Sequence, residues 1–271
     1  MVHRPLRSIP LPDAAERVLD AWLGELGERL SDPGCDRALL CRETLQAIYY
    51  PGLGAWDDLV ADPGTPLATR AALLALDPRH VTLEPEYYAD VDAARYAQVK
   101  PLLWLWQQFD RSPLGGGNVD LGVRFRRVLA QHVFAHCGKN FKCFQFVEFS
   151  FGYNIHAGDN VVIHRHVLLD DRARITLGDR CSIADYANVY THSHSITDQQ
   201  DVTSIPLEIG PGARITYHAT VLAGASIGEQ GMLGAMAVAT RPVRPWHLNL
   251  GIPAVPKIIK PDAPPEARDD T

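Results

Sequence analysis

Histidine is the residue type that most narrows the chemistry of this chain. Eleven occur in 271 residues, and four of them form two His-x-His pairs, His164 with His166 and His192 with His194. An imidazole that titrates near neutral pH serves two chemistries: it takes a proton from a hydroxyl that attacks an electrophile, and it ligates zinc. The five cysteines, at positions 35, 41, 137, 143 and 181, form no C-x-x-C pair. Cys137, Cys143 and Cys181 read as small buried apolar groups, and an odd count without a disulfide framework points to a reducing, cytoplasmic compartment. The 26 basic and 32 acidic residues leave a net charge of −6, which argues against a general nucleic-acid binder with a basic face. No apolar run approaches membrane-spanning length, and the first twenty residues lack the apolar core of a leader. Neither a nucleic acid nor a membrane is an expected partner.

Both histidine pairs lie inside a repeat of six. Ile209, Ile215, Val221, Ile227, Leu233 and Ala239 lead successive hexapeptides, and a small residue stands at the fifth position of most of them (Ala213, Ala219, Ala225, Ala237). A helix would repeat its apolar face at three and four, and a simple strand at two. A six-residue frame is the signature of a β-helix, each repeat giving one short strand and one turn. The frame also runs backwards through Leu177, Ile183 and Val189, then Ala157, Ile163 and Leu169, then Cys137, Cys143 and Phe149. A two-residue step separates these sets at Ile175-Thr176 and at Ile155-His156. Three hexapeptides make one triangular coil, and stacked coils complete one another's core.

Residues 1–136 read as an α-helical region. The first twelve are proline-punctuated and expected to be loosely ordered. Val18, Trp22, Leu23, Leu26 and Leu30 then form one helical stripe with Asp13 as its N-cap. Helices are also expected at about 35–50 and 69–76, with a short apolar piece at Trp56–Val60. The run from Val91 to Asp110 should be broken near Pro101, and Ser112–Gly117 is a linker. Val119–His136 is the last helix, with Arg124, Arg126 and Arg127 turned to solvent. The β-helix occupies 137–260, and the acidic, proline-rich 261–271 is expected to be a disordered tail.

Two blocks carry a resemblance. Phe149-Ser-Phe-Gly-Tyr-Asn-Ile-His-Ala-Gly158 resembles the FSYGxNIHIG stretch of the maltose and galactoside O-acetyltransferases, and Ile175–His194 resembles their ITIGDNxxIAPNVxIYTATH. Gly251-Ile252-Pro253-Ala254 is similar to their GNPA. The likeness covers about residues 141–260 and implies a left-handed parallel β-helix that transfers an acyl group from acetyl-CoA to a hydroxyl of a small acceptor such as a sugar. On it, His194 falls on the catalytic histidine, and Ser150 on an active-site serine or aspartate that handles the acceptor. His164 falls on an active-site asparagine, and Asp171 lies beside a nearby aspartate. Ala235 matches a small residue along the pantetheine arm, and Thr240-Arg241 matches a Thr-Lys pair at the adenine and phosphate end. Lys257 and Lys260 could assist there. The sequence departs from the family at Ile163–His166 and Leu168–Arg172, and its helical half is not theirs.

The resemblance also implies a homotrimer with the CoA groove between subunits. Exposed-looking stretches at Val161-Val162-Ile163 and Tyr217-His218 give an independent reason, because uncovered apolar patches mark interaction surfaces. Two alternatives stand beside this reading. One is an enzyme like the serine acetyltransferases, which also place helices before a β-helix. The other is a γ-carbonic-anhydrase-like protein holding zinc through His164, His166, His192 and His194. The spacing does not match that family's ligand pattern, and no metal is expected.

Overall fold

The computed structural model describes residues 9–268. The N-terminal segment 1–8, part of the stretch expected to be loosely ordered, and residues 269–271 of the expected tail lie outside the described residues. The chain divides into two compact units, residues 1–35 and 36–271. The first carries helix α1 (Asp13–Ser31), with Pro12 in the N-cap position and Asp13 inside the first turn. Asp13 is therefore not the cap; its carboxylate instead favours the positive helix start. Leu23, Leu26 and Leu30 are buried and Val18 is exposed, so the expected stripe is narrower.

The second unit begins with α2 (Arg37–Tyr49), capped by Asp36, whose side chain accepts from the Ala38 and Leu39 amides. Short helices α3 (Trp56–Ala61) and α4 (Leu67–Leu74) follow, then 3₁₀ turns at Pro78–His80 and Glu84–Tyr87. Helix α5 (Ala93–Arg111), capped by Asp92, runs unbroken through Pro101. A proline removes one helical hydrogen bond, and the carbonyl it frees belongs to Ala97. Ala97 and Pro101 both line a cavity of about 430 Å³, while buried Leu102, Leu103, Leu105, Trp106 and Phe109 hold the rest of the helix in place. Helix α6 (Val119–Val133), capped by Asn118, ends three residues before His136.

The linker Ser112–Gly117 is a packed turn. A Cβ on Gly115 would stand 2.0 Å from the Phe109 carbonyl oxygen, so only glycine fits. Arg126, expected to face solvent, is 1% exposed. Its Nε donates to Asp110 Oδ1 at 2.7 Å, and Nη1 and Nη2 reach the carbonyls of Cys143 and Gly115. Asp110 also accepts from the Phe146 amide. This buried network ties α5, α6 and the first coil of the β-helix together.

From His136 the chain winds into a parallel β-helix with three faces. The first holds His136–Cys137, Ile155–Ala157, Ile175–Leu177 and Leu207–Ile209. The third holds Glu148–Phe149, Leu168–Asp170, Asn188–Tyr190, Thr220–Val221 and Val238–Ala239. The second face, from Lys142–Cys143 to Met232–Leu233, continues through His247–Leu250 and closes with Val255–Ile259 running antiparallel. Hexapeptide leads from Ile163 to Ala239 point inward and are at most 1% exposed, as are Ala213, Ala219 and Ala237. Val161 and Ile163 are among the enclosed residues, so that stretch is no outer patch; Tyr217 at 55% exposure is.

Pairing fixes the coil length. His136 pairs with His156 and His156 with Thr176, 20 residues apart each time. Between the second and third faces Phe146, His166, Tyr186 and His218 share a left-handed φ of 56–60°. Their rings stack one coil above the next at 4.7–5.0 Å. The open end of the first coil is covered by the helices: Trp106 and Phe134 pack edge-on against Phe149, and Phe134 against Phe141. Buried rings of this kind remove about 150–250 Å² each from water. Of the segment 261–268, Pro265–Ala267 forms a 3₁₀ turn, and Arg268 donates to the Ala263 and Pro261 carbonyls. Among the described residues, no helix is long and apolar enough to cross a membrane.

Candidate active site

The corner after the third face collects the polar groups. A 20-residue coil puts Ser150 directly below Asp170, and the next turn brings Tyr190, Thr191 and His192 above it. There the winding is interrupted. From Thr176 to its partner Glu208 the chain spends 32 residues, 12 beyond the length of the preceding coil. The excess forms an antiparallel hairpin, His192–His194 against Val202–Ser204. His192 thus leaves the β-helix at the point where it meets the column of Ser150 and Asp170.

Asp170 organises this corner. It is 4% exposed, and its Oδ1 accepts from Ser150 Oγ at 2.7 Å. Oδ2 accepts from the Thr191 amide at 3.2 Å and lies 2.5 Å from His192 Nδ1. The Thr191 hydroxyl donates to the Asp170 carbonyl, which fixes the aspartate's own backbone. A buried carboxylate so placed favours the imidazole tautomer with its proton on Nδ1, leaving Nε2 free to accept another. Hydrogen bonds to a charged acceptor are the strong ones.

A cavity of about 560 Å³ opens beside this trio. Ser150, Asp170, Tyr190 and His192 line it from the β-helix, and Glu84, Tyr88, Tyr96 and Gln107 line it from the helical region. Three contacts hold the two walls in register. Arg172 makes two 3.0 Å bonds to Asp90. Arg95 donates to the Tyr153 carbonyl and sits 4.3 Å from that ring's centre. The Asp92 amide donates to the Tyr153 hydroxyl.

The expected site residues distribute unevenly over this geometry. Ser150 is in the cavity wall. His194 lies two residues beyond His192 on the hairpin, exposed, with Nδ1 donating to the Gln199 carbonyl at 2.7 Å. Its ring meets that of His192 edge-on at 5.2 Å. Asp171 does not face the cavity: it is enclosed, and its oxygens accept from the Phe151 and Asn154 amides at 2.7 and 3.1 Å. Burial pushes its carboxyl up to about 6, against the pull of those amides. It shapes the turn that presents Ser150, and its neighbour Asp170 faces the cavity in its place.

His164 stands at the opposite end of the third face, stacked on Phe144 at 5.0 Å. Ala235 shares that corner and is exposed. Thr240 and Arg241 follow the last third-face strand, on the corner of Ser150 and Asp170, and both are exposed; Lys257 is exposed on the closing strand. The four histidines of the zinc reading are split between the two corners. Among the described residues no group of three or more His, Cys, Asp or Glu side chains could hold a metal. Asp170, and the wall formed by Glu84, Tyr88, Tyr96 and Gln107, were not found from sequence. The 20-residue period that aligns Ser150 with Asp170 was the available signal for the first. The helical wall carries no motif.

No protein-family model matches the chain. Over 135 residues it is 28% identical to the galactoside O-acetyltransferase of Escherichia coli strain K12, a stretch that is 48% of this chain and 66% of that protein. The match thus spans slightly less than two thirds of that relative's length. Among solved structures, a hexapeptide-repeat acetyltransferase of Vibrio cholerae O1 biovar eltor, crystallised with acetyl-CoA, is similar at 25% identity and a TM-score of 0.54. The alignment covers 68% of this chain and 99% of that one. A maltose O-acetyltransferase of Clostridium difficile 630 shares the fold at a TM-score of 0.56 and 23% identity, over 64% and 91% of the two chains. The chain is a hexapeptide-repeat β-helix protein similar to these acetyltransferases.

Proposed function

We propose that this protein is a coenzyme A-dependent O-acyltransferase, with acetyl-CoA as donor and His192 as general base. The observation that carries it is the Ser150–Asp170–His192 cluster at the wall of a cavity large enough for a small acceptor. The donor is supported by the acetyl-CoA complex of the similar Vibrio protein. An acceptor hydroxyl in the cavity gives its proton to His192 Nε2 as its oxygen attacks the thioester carbonyl. The tetrahedral intermediate expels the CoA thiolate, which takes the proton back from His192. Asp170 keeps the imidazole in the required tautomer and stabilises the transient imidazolium. Ser150 fills the second oxygen of that carboxylate and stands where it can contact the acceptor.

His194, where the family motif places the base, is the competing candidate. Its ring is exposed outside the cavity wall, with Nδ1 on a backbone carbonyl rather than a carboxylate. Thr240, Arg241 and Lys257 are proposed to take the nucleotide end of CoA, a basic side chain suiting phosphate. The deciding assay follows thiol release from acetyl-CoA over a panel of hydroxyl acceptors, using wild type, His192→Ala and His194→Ala. His192→Ala should lower kcat by roughly 10²–10⁴, and His194→Ala by far less. The reverse order returns the base to His194. Thiol release from neither wild type nor variant, on any acceptor, removes the acyltransferase reading.

A further inference from the structure

The cavity that holds His192 carries a charge asymmetry that bears on its acceptor. Its lining includes three carboxylates, Glu84, Glu148 and Asp170, and no lysine or arginine. Asp170 is committed to Ser150, Thr191 and His192. The other two are not so enclosed. Glu84 comes from the helical side, where one of its oxygens accepts from the Tyr88 hydroxyl. Glu148 comes from the β-helix side, two residues before Ser150, and its side chain is exposed. The Arg172 guanidinium stacks on the Tyr88 ring but is held by both oxygens of Asp90.

Four aromatic rings, of Tyr88, Tyr96, Phe149 and Tyr190, also line it. Carboxylates beside aromatic faces are the environment that an ammonium group prefers, by Coulomb attraction and by cation–π contact. Tyr96 stands between two cavities, this one and the cavity of about 430 Å³ at Ala97 and Pro101. It is 4% exposed, and its hydroxyl has no hydrogen-bond partner among the described residues. A buried orphan hydroxyl is costly unless something polar meets it.

We propose that the acceptor is a small hydroxyl compound carrying a protonated amine. Glu84 and Glu148 hold the ammonium over the aromatic wall while the hydroxyl faces His192. This rests on the acyltransferase reading and names its substrate class. The amine stays protonated and takes no part in the transfer: the new bond joins the hydroxyl oxygen to the acyl carbon, and the carbon–sulfur bond breaks. Carboxylated or phosphorylated acceptors are rejected by like charge.

Two matched sets of probes test this: glucosamine, glucose and glucuronate, and 1-amino-2-propanol, 1,2-propanediol and lactate. Binding is read by ligand-observed NMR without acetyl-CoA, and transfer by thiol release with it. In at least one set the amine should bind about tenfold tighter than the neutral member, about one tenfold step of affinity being what a partly desolvated cation contact supplies. The anion should bind most weakly. Glu84→Gln/Glu148→Gln should close the gap between amine and neutral compound, and Glu148→Gln alone, at an exposed position, should narrow it without risk to folding. A neutral or anionic member that binds as tightly as the amine, or no binding of either amine, overturns the proposal. Charge selection in binding with no thiol release from any probe would sink the acyl-transfer reading and leave the selection standing. Thiol release without charge preference would do the opposite.

Discussion

At the scale of single residues, the decisive feature is one carboxylate shared by a serine and a histidine. Asp170 Oδ1 holds Ser150 and Oδ2 holds His192. An amide in its place would present an NH₂ to one of these partners. If that group faced Nδ1, the imidazole would carry its proton on Nε2 and have nothing to accept the acceptor's proton. Asp170→Asn is therefore expected to lower kcat by roughly 10²–10⁴ with a smaller effect on KM. Steady-state kinetics on the best acceptor of the panel checks this; turnover within a fewfold of wild type would mean that Asp170 is structural only. The motif pointed to Ser150, Asp171 and His194; the cavity wall holds Ser150, Asp170 and His192, with Asp171 enclosed beside Asp170 and His194 two residues further along the hairpin. Alternation accounts for the first difference, and the inserted hairpin for the second. At a corner, the neighbours Asp170 and Asp171 face opposite ways, which a motif aligned without gaps does not resolve; His192 and His194 share one side of a strand that leaves the coil, and only the first remains at the cavity wall.

At the scale of elements, the repeat was legible because it obeys one rule: every sixth residue is enclosed in a narrow interior, so composition along the chain records the fold. The helical half has no such rule. Arg126 looked like one of three solvent-facing arginines, yet its partner Asp110 lies 16 residues away on another helix, a distance no local pattern encodes. The pair is almost completely buried, and Asp110 also holds the Phe146 amide of the first coil. Removing one partner strands the other charge away from water. Asp110→Ala should destabilise the protein by about 3–5 kcal/mol. The double change Asp110→Leu/Arg126→Met should cost less than either single substitution, because no charge is then left alone. Denaturant titration of the three variants decides it. A single variant within about 1 kcal/mol of wild type would show that the pair does not fasten the helices to the coil.

At the scale of the whole molecule, the placement of the expected acceptor and cofactor residues carries the argument. Ala235 and His164 stand at the corner before the third face, and Thr240, Arg241, Ser150 and Asp170 at the corner after it. One chain does not bring both corners to a single groove. A neighbouring copy, packed so that its leading corner meets the trailing corner of the first, would do so. The leading corner also carries the stacked rings of Phe146, His166, Tyr186 and His218 and the exposed Tyr217 and Met236, a surface that a second copy would cover. Because the contact is between two different patches, it must close into a ring or grow into a filament. We propose closure as a homotrimer with the CoA groove between subunits. Light scattering at micromolar protein should give three times the chain mass or a multiple of it. Tyr217→Glu, which puts charge into the ring corner without touching the Ser150–Asp170–His192 cluster, should lower the assembled fraction and the activity together across a dilution series. Full activity in a monomer-sized species would remove the shared groove and leave the site within one chain.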